Sequence, residues 1–346
     1  QRQMCIRDRD KLKKDSDDLK SGLENMAMDD DAQFDAYIEK VINKRIRKIA
    51  AKTCIIILAS IVAVIFCINP VVSLFFPNAE KLNERDGENP SQLLKLMRAY
   101  YETVYPDKEV TMLEVEKDGF GCYTIQTVVM DHSGVTTRGI GGAPTVEMAM
   151  KWGRLSVESD PQNLATFILG KFYNGTVYVQ PEDVIADLEK LPETAYIYVN
   201  VSQNQASDVD DVMVKAGKML DWIQVYQPES NFQAGVRLAV GAACEEGDAE
   251  RPNMSSEEIK EIYLSNLKLL QENYDLWKDL GLYSNSTLHY VQTDTIQNVI
   301  DAAEKDDSFR TKNYFISGSK ADVLEYLKTT DCVYLSVENV QYSIFG

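Results

Sequence analysis

The chain has 346 residues, 45% hydrophobic and 26% charged, so it is neither disordered nor fibrous and is long enough for two modest domains. Its formal net charge of −18 argues against nucleic-acid binding as the main role, because phosphate contacts need Lys and Arg. The acidity is unevenly distributed. Residues 1–76 carry 13 basic and 11 acidic side chains, whereas residues 77–346 carry 23 and 43.

Residues 1–52 are predicted to form a polar N-terminal tail that ends in an amphipathic helix. Within it, residues 1–9 are similar to translated adaptor sequence and are set aside as a possible artefact. From residue 33 the segment FDAYIEKVINKRIRKI places apolar side chains at three- and four-residue steps, which is typical of one helix face. This face is expected either to bind a partner protein or to lie on anionic lipid. Its predicted partner-binding residues are Phe34, Tyr37, Ile38, Val41 and Ile42.

A charge-free segment of 23 residues, CIIILASIVAVIFCINPVVSLFF at 54–76, follows the tail. As a helix it would be roughly 34 Å long, which matches a hydrocarbon core of about 30 Å. We therefore predict a transmembrane helix at 53–76 and a single-pass protein of the cell membrane, with a kink or an early helix end at Asn69 and Pro70. A buried core helix and a cleaved signal peptide are the alternatives.

The flanking charges predict an orientation for this span. Basic residues precede it without an intervening acid, whereas the basic residues after it are mixed with acidic ones. By the positive-inside rule, the N-terminal tail is expected in the cytoplasm and residues 77–346 outside it. The residues assigned to this orienting cluster are Lys44, Arg45, Arg47, Lys48 and Lys52.

Residues 77–181 are predicted to form a membrane-proximal α+β region outside the cell. A helix is expected at 90–105, followed by strands at 109–115 and 121–130, where apolar residues alternate. Residues 135–144 are predicted to be a loop, 163–173 a helix and 176–179 a short strand.

Residues 182–346 are predicted to form a C-terminal α/β domain, because strands and helices are mixed along this part of the chain. A capping box of Ser255 and Glu258 opens its longest helix, which is expected to run to residue 280 and stop at Gly281. The predicted helices are 182–190, 209–220, 255–280, 295–304 and 320–328. The predicted strands are 195–201, 223–226, 313–317 and 332–337, with a further apolar run at 236–241.

Residues suited to catalysis or metal binding are few. His132 and His289 are the only histidines, and no G-x-S-x-G nucleophile elbow or C-x-x-C pair occurs. The loop at 138–142 lacks the Lys-Ser/Thr ending of a phosphate loop, and the acids at 208–211 better suit a helix N-terminus than a calcium site. Outside the span, Cys122, Cys244 and Cys332 allow one disulfide or none. We therefore predict a binding or sensing module rather than an enzyme, with no catalytic, cofactor-binding or metal residues and no cofactor.

Three segments resemble the membrane-bound sigma-factor regulators of Gram-positive bacteria. They are the tail and span at 33–76, LPETAYIYVNVSQNQASDVDDVM at 191–213, and NYFISGSKADVLEYLK with VYLSVENVQY within 313–342. The resemblance implies an anti-sigma factor whose cytoplasmic tail binds an extracytoplasmic-function sigma factor and whose C-terminal regulator domain, 182–346, senses an envelope signal. The His-x-x-x-Cys-x-x-Cys zinc motif of another anti-sigma class is absent from the sequence.

Two other classes of function compete with this reading. The first is an extracytoplasmic ligand-binding protein whose tail is a simple membrane anchor. The second, a surface hydrolase, has least support because neither histidine lies in a catalytic motif.

Overall fold

The computed structural model describes residues 31–87, 89–131, 145–157, 171–173, 175, 179–227, 234–238, 253–280, 293–305 and 308–342. Several predictions fall outside these ranges: the polar stretch before residue 31, the loop at 135–144, most of the helix at 163–173 and of the strand at 176–179, and the stop at Gly281. The chain divides into two compact units, Gln1–Ile68 and Asn69–Gly346.

Helix α1, Asp31–Phe75, contains 45 residues and joins the amphipathic segment and the apolar run in one continuous element. The predicted helical conformation of both segments is confirmed. The early end expected at Asn69 and Pro70 is wrong, because the helix continues to Phe75. A proline removes a single backbone donor, and the following turn is still closed by the Phe76 N–H donating to the Val72 carbonyl at 3.0 Å.

None of the helices in the described ranges is both long and apolar enough to cross a bilayer. The predicted single-pass membrane class, its transmembrane helix and its cell-membrane localisation are therefore wrong. The charge-free run does not form a separate spanning element but continues the helix that carries the basic residues. The predicted cytoplasmic and extracytoplasmic sides depended on this span, so that prediction is wrong as well.

The first sheet follows two helices, α2 (Ala79–Leu82) and α3 (Gln92–Val104). It has four antiparallel strands in the order β1-β2-β3-β4, which are Lys108–Gly119, Cys122–Asp131, Thr145–Lys151 and Arg154–Val157. The first two strands were predicted. The last two were not, although Val146, Met148 and Met150 alternate with other residues as in a half-buried strand.

The second sheet has five strands, all antiparallel, in the order β7-β6-β8-β5-β9. The strands are β5 (Ala195–Asp208), β6 (Leu220–Val225), β7 (Gly235–Arg237), β8 (Arg310–Ser319) and β9 (Cys332–Tyr342). Helix α4 (Pro181–Glu189) precedes these strands, and the helices between them are α5 (Val209–Ala216), α6 (Ser256–Glu272), α7 (Tyr274–Trp277), α8 (Thr293–Lys305) and α9 (Lys320–Thr329). Short 3₁₀ turns follow α5 and α7, at Gly217–Met219 and Lys278–Leu280.

Local sequence signals explain the helix ends. The Ser255 hydroxyl and the Glu258 carboxylate form the predicted capping box of α6. The helix nevertheless ends at Glu272 and not at residue 280, because the chain turns at Asn273, whose side-chain amide donates to the Leu269 carbonyl at 2.9 Å. Ser319 caps α9 by accepting from the Asp322 N–H.

The core is continuous between the two sheets, both within the unit Asn69–Gly346. Helix α3 packs against β1 on one side and against β7 and α6 on the other. Its buried side chains include Leu93, Leu96 and Met97, each at most 1% exposed. This helix therefore joins the first sheet to the second and brings the turn after its C-terminal end, at Tyr105, onto the second sheet.

Two hairpin tips of the first sheet touch the end of α1. A side chain added at Gly121 would meet Val72, and one added at Gly153 would meet Pro77, each at 2.5 Å. The Phe76 and Trp152 rings meet edge to face with centroids 5.4 Å apart. Phe120 and Trp152 both adopt positive φ, 54° and 53°, at these tips, a conformation that costs a non-glycine residue about 1 kcal/mol.

Candidate functional site

The apolar stripe is the row of apolar residues on the first half of α1. Its members are spaced by three or four residues, so they lie along one side of the helix: Phe34, Tyr37, Ile38, Val41, Ile42, Ile46 and Ile49. Tyr37, Ile38 and Val41 are partly exposed, while Ile42, Ile46 and Ile49 are 49%, 56% and 64% exposed. Isoleucine side chains exposed this far in a row are typical of a surface that a partner covers.

The five basic residues assigned to orientation, Lys44, Arg45, Arg47, Lys48 and Lys52, are all exposed on the same helix. Arg45 itself lies on the side of the stripe, four residues after Val41 and four before Ile49, so the charges are not confined to its edges. They therefore make the second part of this segment cationic as well as amphipathic, while residues 77–346 are strongly acidic.

The second sheet carries a different kind of surface, because its strands place apolar and polar residues on opposite sides. Its polar face presents Tyr196, Tyr198, Asn200 and Ser202 from β5 and Asn313, Phe315 and Ser317 from β8. The opposite, apolar face presents Ile197, Val199 and Val201 from β5 and Tyr314 and Ile316 from β8. Helices α5 and α9 pack on these two strands.

A buried ionic cluster lies on the polar face. The Lys171 ammonium contacts Asp107 at 2.8 Å and Glu338 at 3.2 Å, and the Asn200 amide donates to the other oxygen of Glu338. Burial alone would lower the pKa of Lys171, but the two carboxylates outweigh it and raise that pKa, so the lysine stays charged. Lys171 and Asp107 are 4% and 3% exposed, which makes this a desolvated charge cluster.

Two acceptor oxygens in this cluster, Asp107 Oδ1 and Asn200 Oδ1, are buried and have no hydrogen-bond donor among the described residues. A buried acceptor without a donor costs about 1–3 kcal/mol. The cluster therefore offers more acceptors than donors within the part of the chain that the structure describes.

Asp221 lies beside this cluster on β6, where it is 7% exposed and accepts a hydrogen bond from Ser317. Burial raises the pKa of Asp221 to about 6, although Ser317 and Arg237 act in the opposite direction. The Ser317 hydroxyl is also 3.3 Å from the Tyr196 hydroxyl. Tyr196 is 41% exposed, so this hydrogen-bonded row connects the buried carboxylate to the surface.

An aromatic row crosses the polar face from the surface inward. The Tyr196 and Tyr198 ring centroids are 5.1 Å apart, and Tyr198 stacks on Phe315 at 6.4 Å. At the inner end, Phe172 stacks on Trp222 at 6.0 Å. The Trp222 indole N–H donates to the Glu102 carbonyl at 2.7 Å, which fixes this ring at the end of α3.

The residues weighed for catalysis or metal binding fall into two groups. His132, His289, Cys244 and the loop at 138–142 lie outside the described residues. Of the others, Asp208 precedes α5 and Asp210 and Asp211 occupy its first turn, as predicted from their preference for helix N-termini. Cys122 and Cys332 are free thiols. Within the described ranges, no group of His, Cys, Asp and Glu side chains is arranged to hold a metal ion.

The polar face was not predicted as a site. Its members on β5 are visible in the sequence, because AYIYVNV alternates tyrosine and asparagine with alanine, isoleucine and valine. The alternation predicted a strand correctly, but its polar side could also have faced solvent. Lys171, Asp107 and Glu338 come from three distant segments, and no local pattern connects them.

Comparison with known proteins identifies no relative: no family model, no curated protein and no solved structure matches this chain.

Proposed function

We propose that this protein is an anti-sigma factor that binds an extracytoplasmic-function sigma factor through the apolar stripe of α1. The observation that carries the proposal is the row of exposed isoleucines, Ile42, Ile46 and Ile49, beside the partly exposed Tyr37 and Ile38. An amphipathic helix with such a row binds by laying its apolar side into a groove of a partner. The partner's identity comes from the sequence resemblance to sigma-factor regulators.

In this proposal the unit Asn69–Gly346 acts as the sensing part of the regulator. The second sheet supports this role because one of its faces is built from buried polar and aromatic side chains and not from aliphatic ones. Such a face is costly to bury and contributes less to stability than an aliphatic one, as expected of a surface kept for recognition.

Co-purification from the source organism tests the proposal. The full-length chain carries an affinity tag, and the recovered sigma factors are identified by mass spectrometry and confirmed with purified partners. The unchanged protein should retain an extracytoplasmic-function sigma factor. Ile42→Asp/Ile46→Asp should weaken its binding at least tenfold, because two charges would enter an apolar groove.

The matched control is Ala36→Asp/Asn43→Asp, which makes the same change in net charge at two exposed positions on another side of the same helix. This variant should keep most of the binding. Equal loss in both variants would show that charge and not the apolar stripe holds the partner. Recovery of no sigma factor by the unchanged protein would overturn the anti-sigma assignment.

A ligand-binding protein is the second candidate, and the polar face of the second sheet favours it. Under this alternative, deleting residues 10–52 would leave sigma-dependent transcription unchanged, and ligand binding by the remaining chain would persist.

A further inference from the structure

We propose that the open end of the polar face, formed by Tyr196, Tyr198, Ser317 and Asp221, binds a small organic cation. The proposal names a ligand class for the sensing unit. As the signal of an anti-sigma factor it rests on the proposed function, but the binding itself stands on separate observations and can be measured separately.

The first observation is a buried carboxylate without an ion pair. Asp221 is 7% exposed, and among the described residues its partners are the Ser317 hydroxyl and the more distant charge of Arg237. The Arg237 guanidinium is directed to main-chain carbonyls, donating to Lys108 at 2.9 Å and to Pro106 at 3.3 Å. A buried carboxylate is costly unless a cation balances it.

The second observation is that the neighbouring lysine, Lys171, already forms ion pairs with other carboxylates. Lys171 contacts two carboxylates, Asp107 and Glu338, and Lys108 also lies 3.8 Å from Asp107, so both ammonium groups of that cluster are already paired. The same cluster holds the acceptors Asp107 Oδ1 and Asn200 Oδ1, which lack donors among the described residues. The polar face therefore has buried acceptor atoms without donors among the described residues, and such atoms attract positive charge.

The third observation is the pair of tyrosine rings at the open end. Tyr196 is the most exposed member of the face, and its ring lies 5.1 Å from that of Tyr198. Tyr198 also stacks on the buried Phe315 ring, which holds the tyrosine ring in place. Aromatic faces attract ammonium groups, and a carboxylate behind them adds to the attraction. The aromatic row alone would equally suit a neutral sugar ring, whereas the unpaired carboxylate favours a cation.

The fourth observation is the charge of the surroundings. Residues 77–346 carry 43 acidic and 23 basic side chains, so their summed field attracts cations and repels anions. A small cation would be concentrated near this unit before it reaches the tyrosines.

Calorimetry and amide NMR titration of the full-length protein with choline and tetramethylammonium test the inference. The neutral isostere of choline, 3,3-dimethylbutan-1-ol, serves as the reference ligand. Choline should bind saturably and at least tenfold more tightly than the isostere. The NMR shifts should centre on Tyr196, Tyr198 and Ser317.

Three variants locate the site. Asp221→Asn should weaken choline binding about tenfold or more, and Tyr196→Ala about fivefold, since the ring contributes a cation–π contact. Asp187→Asn makes the same charge change on an exposed helix and should bind like the unchanged protein. Far-ultraviolet circular dichroism on each variant confirms that the fold is retained.

The possible results separate the proposals. Absence of saturable binding by both cations, or equal binding by Asp221→Asn, would overturn the cation site. Equal binding of choline and the isostere would show a site for neutral ligands. In either case the co-purified sigma factor decides the anti-sigma proposal by itself, because that experiment tests α1 and not the second sheet.

Discussion

The two faces of the second sheet are made by the same strands and differ in almost every respect. Strand β5 turns Ile197, Val199 and Val201 to the apolar face, where helices cover them. Its alternate residues, Tyr196, Tyr198 and Asn200, join charged groups from other segments on the polar face. The comparison indicates that the apolar face stabilises the fold, while the polar face costs stability; recognition by the polar face is part of our proposal.

The strongest test of this comparison breaks the buried ionic cluster. Lys171→Met would remove the ammonium that contacts both Asp107 and Glu338, and Asp107 would keep only Lys108 at 3.8 Å. Breaking a buried ion pair in this way typically lowers the free energy of unfolding by about 3–5 kcal/mol. Urea unfolding followed by fluorescence measures the change. Lys190→Met removes an exposed pair with Asp187 and should leave stability unaltered. A loss no larger than in that control would show that the cluster is better solvated than its burial indicates.

A second prediction concerns the apolar face. Ile316 on β8 is fully buried, so Ile316→Ala should lower the free energy of unfolding by about 3 kcal/mol through lost burial and a residual cavity. Its neighbour Ser317 faces the other side, and Ser317→Ala should cost only about 1 kcal/mol. Urea unfolding of the two variants compares the faces at adjacent positions. Equal losses would contradict the division of roles.

The smallest expected effect is a pH dependence that comes from Asp221. Its pKa is raised from 3.8 to about 6 in the folded protein, so between these values the folded state binds the proton more tightly than the unfolded state. The stabilisation is complete below about pH 4 and is lost as the pH rises through 6, a change of about 2–3 kcal/mol.

The check compares the free energy of unfolding of the unchanged protein with that of Asp221→Asn at each pH, because the contributions of the other titrating groups then cancel. In urea unfolding the variant should become the relatively more stable protein as the pH rises from 4 to 7. If the difference in free energy of unfolding stays constant with pH, the Asp221 carboxyl has the same pKa in the folded and the unfolded protein, which contradicts the prediction.

The sequence predicted local structure better than long-range structure. Capping at Ser255 and the strand at 195–201 were predicted from local signals, and each was confirmed. Strands β3 and β4 were missed because they are short and carry charged residues at Glu147, Lys151 and Arg154. The membrane prediction was wrong because a charge-free run was interpreted as an element of its own.

The candidate site illustrates the same limit. The tail helix was predicted from its own periodicity and is confirmed as a helix, while the partner-binding role of Tyr37 and Ile42 stays a prediction. The ionic cluster could not be predicted, because Asp107, Lys171 and Glu338 meet only once the sheet has formed. Neither could the burial of Asp221, since a single aspartate in a strand gives no sign of it.

The strand order of the second sheet has a consequence for biosynthesis. Strand β5 leaves the ribosome before both of its neighbours, β8 and β9, whose paired residues lie roughly 100–150 residues further along the chain. Until they are made, one of the longest apolar strands has unpaired edges on both sides and is open to association with other chains. Early release of a truncated chain ending before Arg310 would therefore yield an aggregation-prone product and not a smaller folded unit.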